Sequence, residues 1–394
     1  MTRTQIGTLA ICAGIFALGQ FHRASGSVFA PILMDRLAVP ASAIGLLVSA
    51  MFFANIAVQL PFGAALDRFG ARRVLPMCLA LIAVGTALFA LAGGMTGLLA
   101  ARIVMGAGMA AMGAASHVII AQAFPARDFG YATGLVATLG GIGGLLGTWP
   151  LAVTLSALPW TTTFLALAAL TALGAACLPL VIAPGARAAA TPGGFAALLA
   201  IPHYRRILVL GFVTYAPITT ITGLWGGPYL QDALGLTPQG AGAVLFVLFG
   251  ATIAAGFVFG LLDRRVRART RLIAAGVCGS VLCLALLAAL PAPPVWLACA
   301  LLLGSVFCQQ FYIPLGADMR ATVPAEVLGR ASALLALVAV SAIPLLQLGF
   351  GAVLDITSAW STNASFGAAF GAMAALISLC AGVYFSGGGR PSTT

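Results

Sequence analysis

The chain has 394 residues, of which 61% are hydrophobic and only 7% are charged, and its mean hydropathy is +1.10. So little polar surface cannot coat a water-soluble globule of this length, which excludes a soluble protein. The net charge of +11 would suit nucleic acid only if it formed a basic groove on a soluble surface, and we therefore expect no nucleic-acid partner.

Apolar stretches of about 20 residues recur along the chain, each long enough to cross a hydrocarbon core of about 30 Å. They are unbroken and do not alternate polar with apolar residues, which predicts helices and not a β-barrel. We predict an all-α membrane protein without a separate soluble domain, with a retained first helix. The twelve predicted transmembrane helices are 6–32, 42–66, 74–93, 96–122, 131–156, 161–183, 205–230, 238–262, 272–290, 294–317, 328–354 and 365–385.

The positions of the arginines predict the orientation of these helices. If the N-terminus is cytoplasmic, the outer loops carry only Arg36. The inner segments then carry Arg3, Arg68, Arg72, Arg73, Arg127, Arg187, Arg205, Arg206, Arg264, Arg265, Arg267, Arg269, Arg271, Arg320, Arg330 and Arg390. The positive-inside rule therefore places both termini in the cytoplasm, and we expect a bacterial inner membrane.

The first helix carries a charged residue deep in its apolar span. Gln20, Arg23 and Ser27 are spaced i, i+3, i+7 and share one face. All acidic residues fall near helix ends or in loops, so Arg23 has no buried carboxylate partner. We therefore expect an anionic organic substrate, held by Arg23 with His22 or Gln20 assisting. The alternative is that Arg23 bonds only to helix-end carbonyls.

The loop between the second and third helices fits the pattern G-x-x-x-D-R-x-G-x-R-R. Its fixed positions are Gly63, Asp67, Arg68, Gly70, Arg72 and Arg73. This pattern resembles the signature loop of the major facilitator superfamily, and we expect Gly63 to allow close helix packing and Gly70 to allow a tight turn. The resemblance implies a cytoplasmic gate in which Asp67 faces the start of the eleventh helix near Gly329. The alternative is a positive-inside loop without a gating role.

The fourth helix begins with Arg102, Met105, Gly106 and Gly108, which resembles the R-x-x-Q-G-x-G pattern of the same family with Met105 in place of Gln. In proton-coupled members this Arg takes part in coupling, so the resemblance implies that role for Arg102. The alternative is an arginine that extends its side chain to the nearby membrane surface.

Two further features of the first half leave alternatives open. Met105, Met109 and Met112 share a face with Arg102, and thioethers bind Cu(I), so copper import through Met and His groups is a second hypothesis. The fifth helix is rich in glycine, and we expect it to pack closely against helices of the other half. It lacks the G-P-x-x-G-G element of drug/proton antiporters, which argues against multidrug efflux.

Other polar and aromatic residues would line a central path. Besides Gln20, His22 and Arg23, the predicted substrate-binding residues are Asn55, Gln59, Tyr215, Trp225, Gln309 and Tyr312. Prolines at 217, 314 and 344 are expected to kink three helices of the second half. Without a carboxylate in mid-membrane, His22 and His117 are the remaining proton carriers, because the unperturbed pKa of His is about 6.5.

Two loops repeat at about half the chain length. Residues 125–135 and 324–334 both fit P-A-x-x-x-G-x-A-x-x-L, and the pair Asp67-Arg68 recurs as Asp263-Arg264. This duplication predicts two six-helix bundles, 1–183 and 205–394, joined by a cytoplasmic linker at 184–204. The eight cysteines lie singly within predicted helices, so we expect free thiols and no metal site.

Together with the resemblance, these features predict a secondary transporter of a small solute, working by alternating access as a monomer without a cofactor or enzymatic activity. Proton coupling is one option, and uniport is another. Efflux of small amphiphiles and a non-transporting accessory or sensor protein are the remaining alternatives.

Overall fold

The computed structural model describes residues 2–125, 128–182, 196–266, 269–324 and 327–386. Within these ranges the regular elements are all helical, and 12 stretches are long and apolar enough to cross a membrane. We number them α1 (Gln5–Leu37), α2 (Ala41–Phe69), α3 (Ala71–Leu91), α4 (Met95–Ala123), α5 (Tyr131–Ala157), α6 (Trp160–Leu180), α7 (Pro202–Ala233), α8 (Pro238–Arg265), α9 (Arg269–Ala289), α10 (Val295–Thr322), α11 (Leu328–Ile356) and α12 (Thr362–Phe385). The predicted fold class and all twelve helices are confirmed.

Five of the described spans are built from shorter segments. These segments are Arg3–Ala24 and Gly26–Leu37 in α1, Met95–Met109 and Met112–Ala123 in α4, Phe129–Leu146 and Trp149–Ala157 in α5, Pro202–Phe212, Ala216–Thr220, Ile221–Trp225, Gly226–Pro228 and Tyr229–Ala233 in α7, and Val295–Cys308, Gln309–Phe311 and Tyr312–Thr322 in α10. Ile221–Trp225 and Tyr229–Ala233 are π-helical, and Gln309–Phe311 is a 3₁₀ turn. The irregular parts of α7 and α10 adjoin Pro217 and Pro314, whereas α11 runs through Pro344 as one helix.

Local sequence explains several helix ends. The first segment of α1 begins with a capping box, in which Thr2 Oγ1 accepts from the Gln5 backbone nitrogen and Gln5 Oε1 accepts from that of Thr2. Gly70 separates α2 from α3 with φ +77°, a left-handed conformation that favours glycine. The tight turn predicted at Gly70 is therefore confirmed.

Contacts between residues divide the chain into two compact units. Unit 1 comprises Met1–Thr191 with Thr237–Phe246, and unit 2 comprises Pro192–Leu236 with Val247–Thr394. Of the predicted linker at 184–204, residues 184–195 lie outside the described residues, Ala196–Leu199 form a short helix, and α7 already begins at Pro202. Residues 126–127 and 325–326 of the two repeated loops also lie outside them.

In unit 1 the main helix pairs are α3 with α6, α1 with α5, α3 with α4 and α2 with α4. The α1–α5 pair depends on glycine, because a Cβ at Gly140, Gly143 or Gly147 would overlap atoms of α1 between Phe16 and Ala24. The fifth helix therefore packs closely at its glycines, as predicted. The prediction that these glycines pack against helices of the other half was wrong. They face α1, because only a surface without side chains lets two backbones approach so closely.

In unit 2 the main helix pairs are α9 with α12, α9 with α10, α7 with α12 and α7 with α11. The eight cysteines of the chain are all free thiols, as expected from their isolated positions. Groups of three or more His, Cys, Asp or Glu side chains that could hold a metal ion are absent from the described part of the chain.

Candidate functional site

The first part of the candidate site lies near the break in α1. Arg23 is half-buried, and its Nη1 donates to Gln20 Oε1 at 3.3 Å, which agrees with the predicted shared face. Its Nε is buried without a hydrogen-bond partner. Three residues after His22 the helix is interrupted at Ser25, whose hydroxyl donates to the His22 carbonyl at 3.1 Å. A guanidinium bonded to a neutral amide keeps its full charge available to a ligand.

His22 lies beside Arg23 in sequence but is turned into unit 1. Its side chain is 1% exposed, and both ring nitrogens are buried without a partner. Its ring makes an edge contact with Phe21, and Arg102 of α4 lies within electrostatic range. An imidazole without a bond to either nitrogen is costly inside a protein, because buried polar groups normally have partners.

Arg102 is enclosed by aromatic rings. Its guanidinium carbon lies 5.3 Å from the Phe29 ring centroid and 5.9 Å from that of Phe89. Trp160 and Phe164 of α6 pack against Phe89 with centroid separations of 5.2 Å in both cases. With 1% exposure, Arg102 does not extend to the membrane surface, so the alternative of a surface-directed side chain is wrong.

The ion-pairing potential of Arg102 is unused in the described structure. Its Nε and one Nη are buried without a hydrogen-bond partner. The rings attract the cation through their π faces, but they cannot accept its in-plane N–H groups as an anion would. The positive charge of Arg102 is therefore buried among aromatic rings without an anionic partner in the described part of the chain.

The other predicted residues of unit 1 differ in exposure. On α2, Asn55 is half-buried and Gln59 is exposed. On α4, His117 is exposed and faces Phe129, with ring centroids 6.1 Å apart. Met105 is 1% exposed and packs against Gly85 of α3, which gives this thioether a packing role.

In unit 2, Trp225 is part of the helix packing. It is fully buried, and its Nε1 donates to the Gln347 carbonyl of α11 at 2.9 Å. Its ring stacks on Phe350 with centroids 5.6 Å apart, and Gln347 Nε2 donates back to the Thr219 carbonyl at 3.4 Å. These bonds tie the irregular part of α7 to α11.

Gln309 lies at the 3₁₀ turn of α10 and is fully buried. Its Nε2 donates to Ser280 Oγ of α9 at 3.0 Å, and that oxygen lies 3.4 Å from Ser305 Oγ. Tyr215 is half-buried and Tyr312 is 37% exposed, and their hydroxyls lie within electrostatic range of each other. The tyrosines are thus more accessible in unit 2 than Trp225 or Gln309.

Two arginines of the predicted gate loop make contacts in the structure. Arg72 Nε donates to the Pro179 carbonyl near the end of α6 at 3.0 Å, and the Arg68 guanidinium lies 5.2 Å from the Phe69 ring centroid. Arg73 and Asp67 are exposed. A Cβ at Gly63 would meet no atom within 4 Å, so the expected close helix packing at this glycine is wrong.

A polar cluster formed by ends of helices of unit 2 was not anticipated. His203 Nε2 lies 2.7 Å from Asp318 Oδ2, and the Tyr384 hydroxyl donates to the same oxygen at 3.0 Å. Nearby, Arg269 binds Asp263 at 2.8 Å and the Ala317 carbonyl at 3.3 Å. The only signal in the sequence is that these residues sit at ends of different helices, which does not reveal that the ends meet.

Comparison with known families identifies the architecture. The family profile of the Major Facilitator Superfamily matches residues 9–346, most of the chain. The chain belongs to the major facilitator superfamily. Its 12 candidate spans agree with this family, so the chain is a multi-pass membrane protein.

Relatives in this superfamily match part of the chain. It is 25% identical over 167 residues to a probable sulfoacetate transporter, SauU, of Cupriavidus necator, covering 42% of this chain and 39% of the relative. It is 29% identical over 164 residues to the uncharacterized transporter YybO of Bacillus subtilis (42% and 37%). It is 24% identical over 165 residues to the riboflavin transporter RibZ of Clostridioides difficile (42% and 36%). The matches thus span about two fifths of these relatives.

Solved superfamily structures share the fold over nearly the whole chain. A bacterial homolog of the human lysosomal transporter Spinster, in its inward-facing and occupied conformation, has a TM-score of 0.81 at 17% identity, covering 98% of this chain and 97% of that one. The D-xylose-proton symporter has a TM-score of 0.76 at 15% identity, covering 97% of each chain. At these identities the likeness establishes the fold alone.

Proposed function

We propose that this superfamily member transports a small organic anion across a bacterial inner membrane, with Arg23 as the anion-binding residue. The main support is the environment of Arg23, which lies deep in α1. Its Nη1 donates to the neutral amide of Gln20, and its buried Nε has no hydrogen-bond partner. The acidic residues of the described spans lie within a few residues of span ends, so they do not compensate this charge at mid-span.

Binding of an anionic substrate changes the charge that the protein holds inside the membrane. An arginine at the centre of a membrane span costs roughly 2.5–3.5 kcal/mol on insertion scales. A carboxylate or sulfonate that binds it bidentately removes that charge and satisfies the unpaired N–H groups. The loaded state is then closer to electrically neutral, which favours movement of substrate together with protein.

The names of the relatives favour an anion without deciding the matter. Sulfoacetate, named for SauU, carries a carboxylate and a sulfonate. Riboflavin, named for RibZ, is a neutral compound, so a neutral substrate belongs in any test. Copper import is not favoured by the geometry, since the Met105 side chain packs against Gly85. The geometry offers no specific support for efflux of amphiphiles.

The remaining features of the proposal follow from the sequence pattern. We infer a monomer with both termini in the cytoplasm, two bundles at 1–183 and 205–394, and alternating access between them. The loop from Gly63 to Arg73 is the proposed cytoplasmic gate. A proton is the proposed coupling ion, with His22 and Arg102 as the residues concerned.

The test uses purified protein in proteoliposomes and counterflow of labelled solutes: acetate, sulfoacetate, riboflavin and D-xylose. We expect exchange of an anion, and a loss of at least about tenfold in Arg23→Gln, because about 1.4 kcal/mol of lost binding energy corresponds to tenfold. The matched control is Arg36→Gln, an exposed arginine near the outer end of the same span. Wild-type exchange of neutral solutes alone, or unchanged anion exchange in Arg23→Gln, would overturn the proposal.

A further inference from the structure

Most of the unsatisfied buried polar atoms belong to three residues of unit 1, two of them consecutive on α1 and one on α4. In the described part of the chain, eight buried side-chain nitrogen or oxygen atoms lack a hydrogen-bond partner. Five of them belong to His22, Arg23 and Arg102, and all five are nitrogens. The other three are oxygens of Thr220, Gln309 and Asn363, on separate helices of unit 2. A cluster of this kind indicates a ligand that supplies the missing acceptors.

The chemistry of the five nitrogens defines that ligand. The guanidinium nitrogens of Arg23 and Arg102 can only donate, and a neutral imidazole donates from one of its two nitrogens. Water could satisfy single N–H groups, but it would leave two positive charges in an apolar surrounding. An acceptor with negative charge meets both requirements.

The five nitrogens fall into two groups. His22 and Arg23 are consecutive on α1, so their side chains leave the helix about 100° apart. Arg23 is half-buried beside Gln20, whereas His22 and Arg102 are both fully buried and lie within electrostatic range of each other. One anionic group at Arg23 and a second between His22 and Arg102 would occupy both parts.

Local irregularities of α1 and α4 lie near the buried part. The helical hydrogen bonding of α1 is interrupted at Ser25, three residues beyond His22, and that of α4 at Ala110 and Ala111, about two turns beyond Arg102, while all three residues keep right-handed helical backbone angles. Positions of this kind are where helices bend. The Phe29 and Phe89 rings then hold Arg102 in place while no anion is bound.

From this geometry we propose that the substrate is a short dianion, with one anionic group bound by Arg23 and the other by His22 and Arg102. The inference rests on the proposed function of anion transport and assigns Arg102 to substrate binding, where the superfamily resemblance implies coupling. Its physical basis is charge balance. A dianion neutralises both arginines, whereas a monoanion leaves one of them uncompensated.

The experiment compares dianions with monoanions of similar shape in proteoliposome counterflow. The pairs are sulfoacetate with methanesulfonate and succinate with butyrate. For wild type we expect at least about tenfold faster exchange of a dianion, because a buried charge left without its partner is strongly disfavoured. In Arg102→Gln the dianion rate should fall to the monoanion rate, while monoanion exchange stays within about twofold. The control is Met105→Leu, another buried residue of α4, which should retain the preference.

The outcomes separate this inference from the proposed function. Wild-type exchange of monoanions as fast as dianions, or an equal fall of both in Arg102→Gln, overturns the dianion inference and leaves anion transport standing. Absence of any anion exchange overturns the proposed function itself. A pure coupling role of Arg102 would leave dianion counterflow intact and abolish only proton-driven accumulation, which also overturns the inference.

A second measurement does not depend on folding of the variant. In detergent, the thermal unfolding midpoint of the wild-type protein should rise with a dianion and rise less with its matched monoanion, since a ligand stabilises the state that it binds. Equal shifts for the two members of each pair would contradict the proposal even if Arg102→Gln could not be purified.

Discussion

The guanidinium carbon of Arg102 lies 5.3 Å from the centroid of the Phe29 ring, within a cluster formed by side chains of α1, α3, α4 and α6. This contact holds a buried cation that lacks an acidic partner in the described part of the chain. It connects the segment Gly26–Leu37 of α1 to α4.

Replacement of Phe29 by Leu keeps apolar volume but removes the π face beneath Arg102. We expect a loss of about 1–2 kcal/mol, since cation–π contacts reach about 2 kcal/mol when desolvated. Thermal unfolding in detergent measures the loss. The control is Phe53→Leu, which changes a phenylalanine that is 39% exposed on α2. An effect of Phe29→Leu that persists unchanged in an Arg102→Met background would contradict the cation–π explanation.

Replacement of Gly143 by Ala should weaken the α1–α5 pair. The added Cβ would overlap the Ala17 carbonyl, which is backbone and cannot turn away. We expect destabilisation of about 1–3 kcal/mol, the usual range for overpacking. The control is Gly134→Ala on the same helix, where the Cβ meets no atom within 4 Å. Equal folded yields and unfolding temperatures for both variants would disprove the contact.

Replacement of Trp225 by Phe keeps a ring against Phe350 and removes the bond from Nε1 to the Gln347 carbonyl. We expect a loss of about 0.5–1.5 kcal/mol in unfolding free energy, the net contribution of one hydrogen bond, because the Gln347 carbonyl keeps its own bond within the continuous helix α11. Chemical unfolding in mild detergent provides the measurement. Trp296→Phe, at a tryptophan 71% exposed on α10, should change stability little. A larger effect there would show that loss of indole area, and not the bond, is responsible.

Replacement of Asp318 by Ala should loosen the contact between the helix ends that carry His203, Asp318 and Tyr384. The change removes the acceptor of both the His203 and the Tyr384 bonds. Hydrogen bonds to charged groups contribute about 1.5–3 kcal/mol, so we expect a loss of that size in thermal unfolding experiments. Asp35→Ala, at an exposed residue near the C-terminal end of α1, serves as the control. The two variants should differ clearly if the cluster ties α7, α10 and α12 together.

Replacement of Gly70 by Ala tests the proposed gate. With φ +77° the position disfavours any residue with a Cβ, by roughly 1–2 kcal/mol. We expect slower counterflow at normal protein yield, because the strain alters the loop between α2 and α3. Gly174→Ala on α6 is the control, since this glycine lies outside the proposed gate and its Cβ would meet no atom within 4 Å. Equal transport rates for Gly70→Ala and wild type would remove the turn from the gating mechanism.

The sequence by itself determined that the chain forms twelve membrane helices and belongs to its superfamily. Long apolar runs leave the backbone one way to satisfy its hydrogen bonds in lipid, so helix number and approximate ends follow from local composition. The turn at Gly70 was predictable for a similar reason, because few residues other than glycine adopt a left-handed conformation readily. The spacing of Gln20 and Arg23 also sufficed to predict that they share a face.

The tertiary structure alone decided which faces meet. It directed Gly143 to α1, bonded Trp225 to α11, joined His203 to Asp318 and enclosed Arg102 in aromatic rings. In a membrane helix nearly every face is apolar, so composition does not distinguish a lipid-facing face from a packed one. The contacts that define the candidate site depend on helix rotation and pairing, which local sequence does not encode.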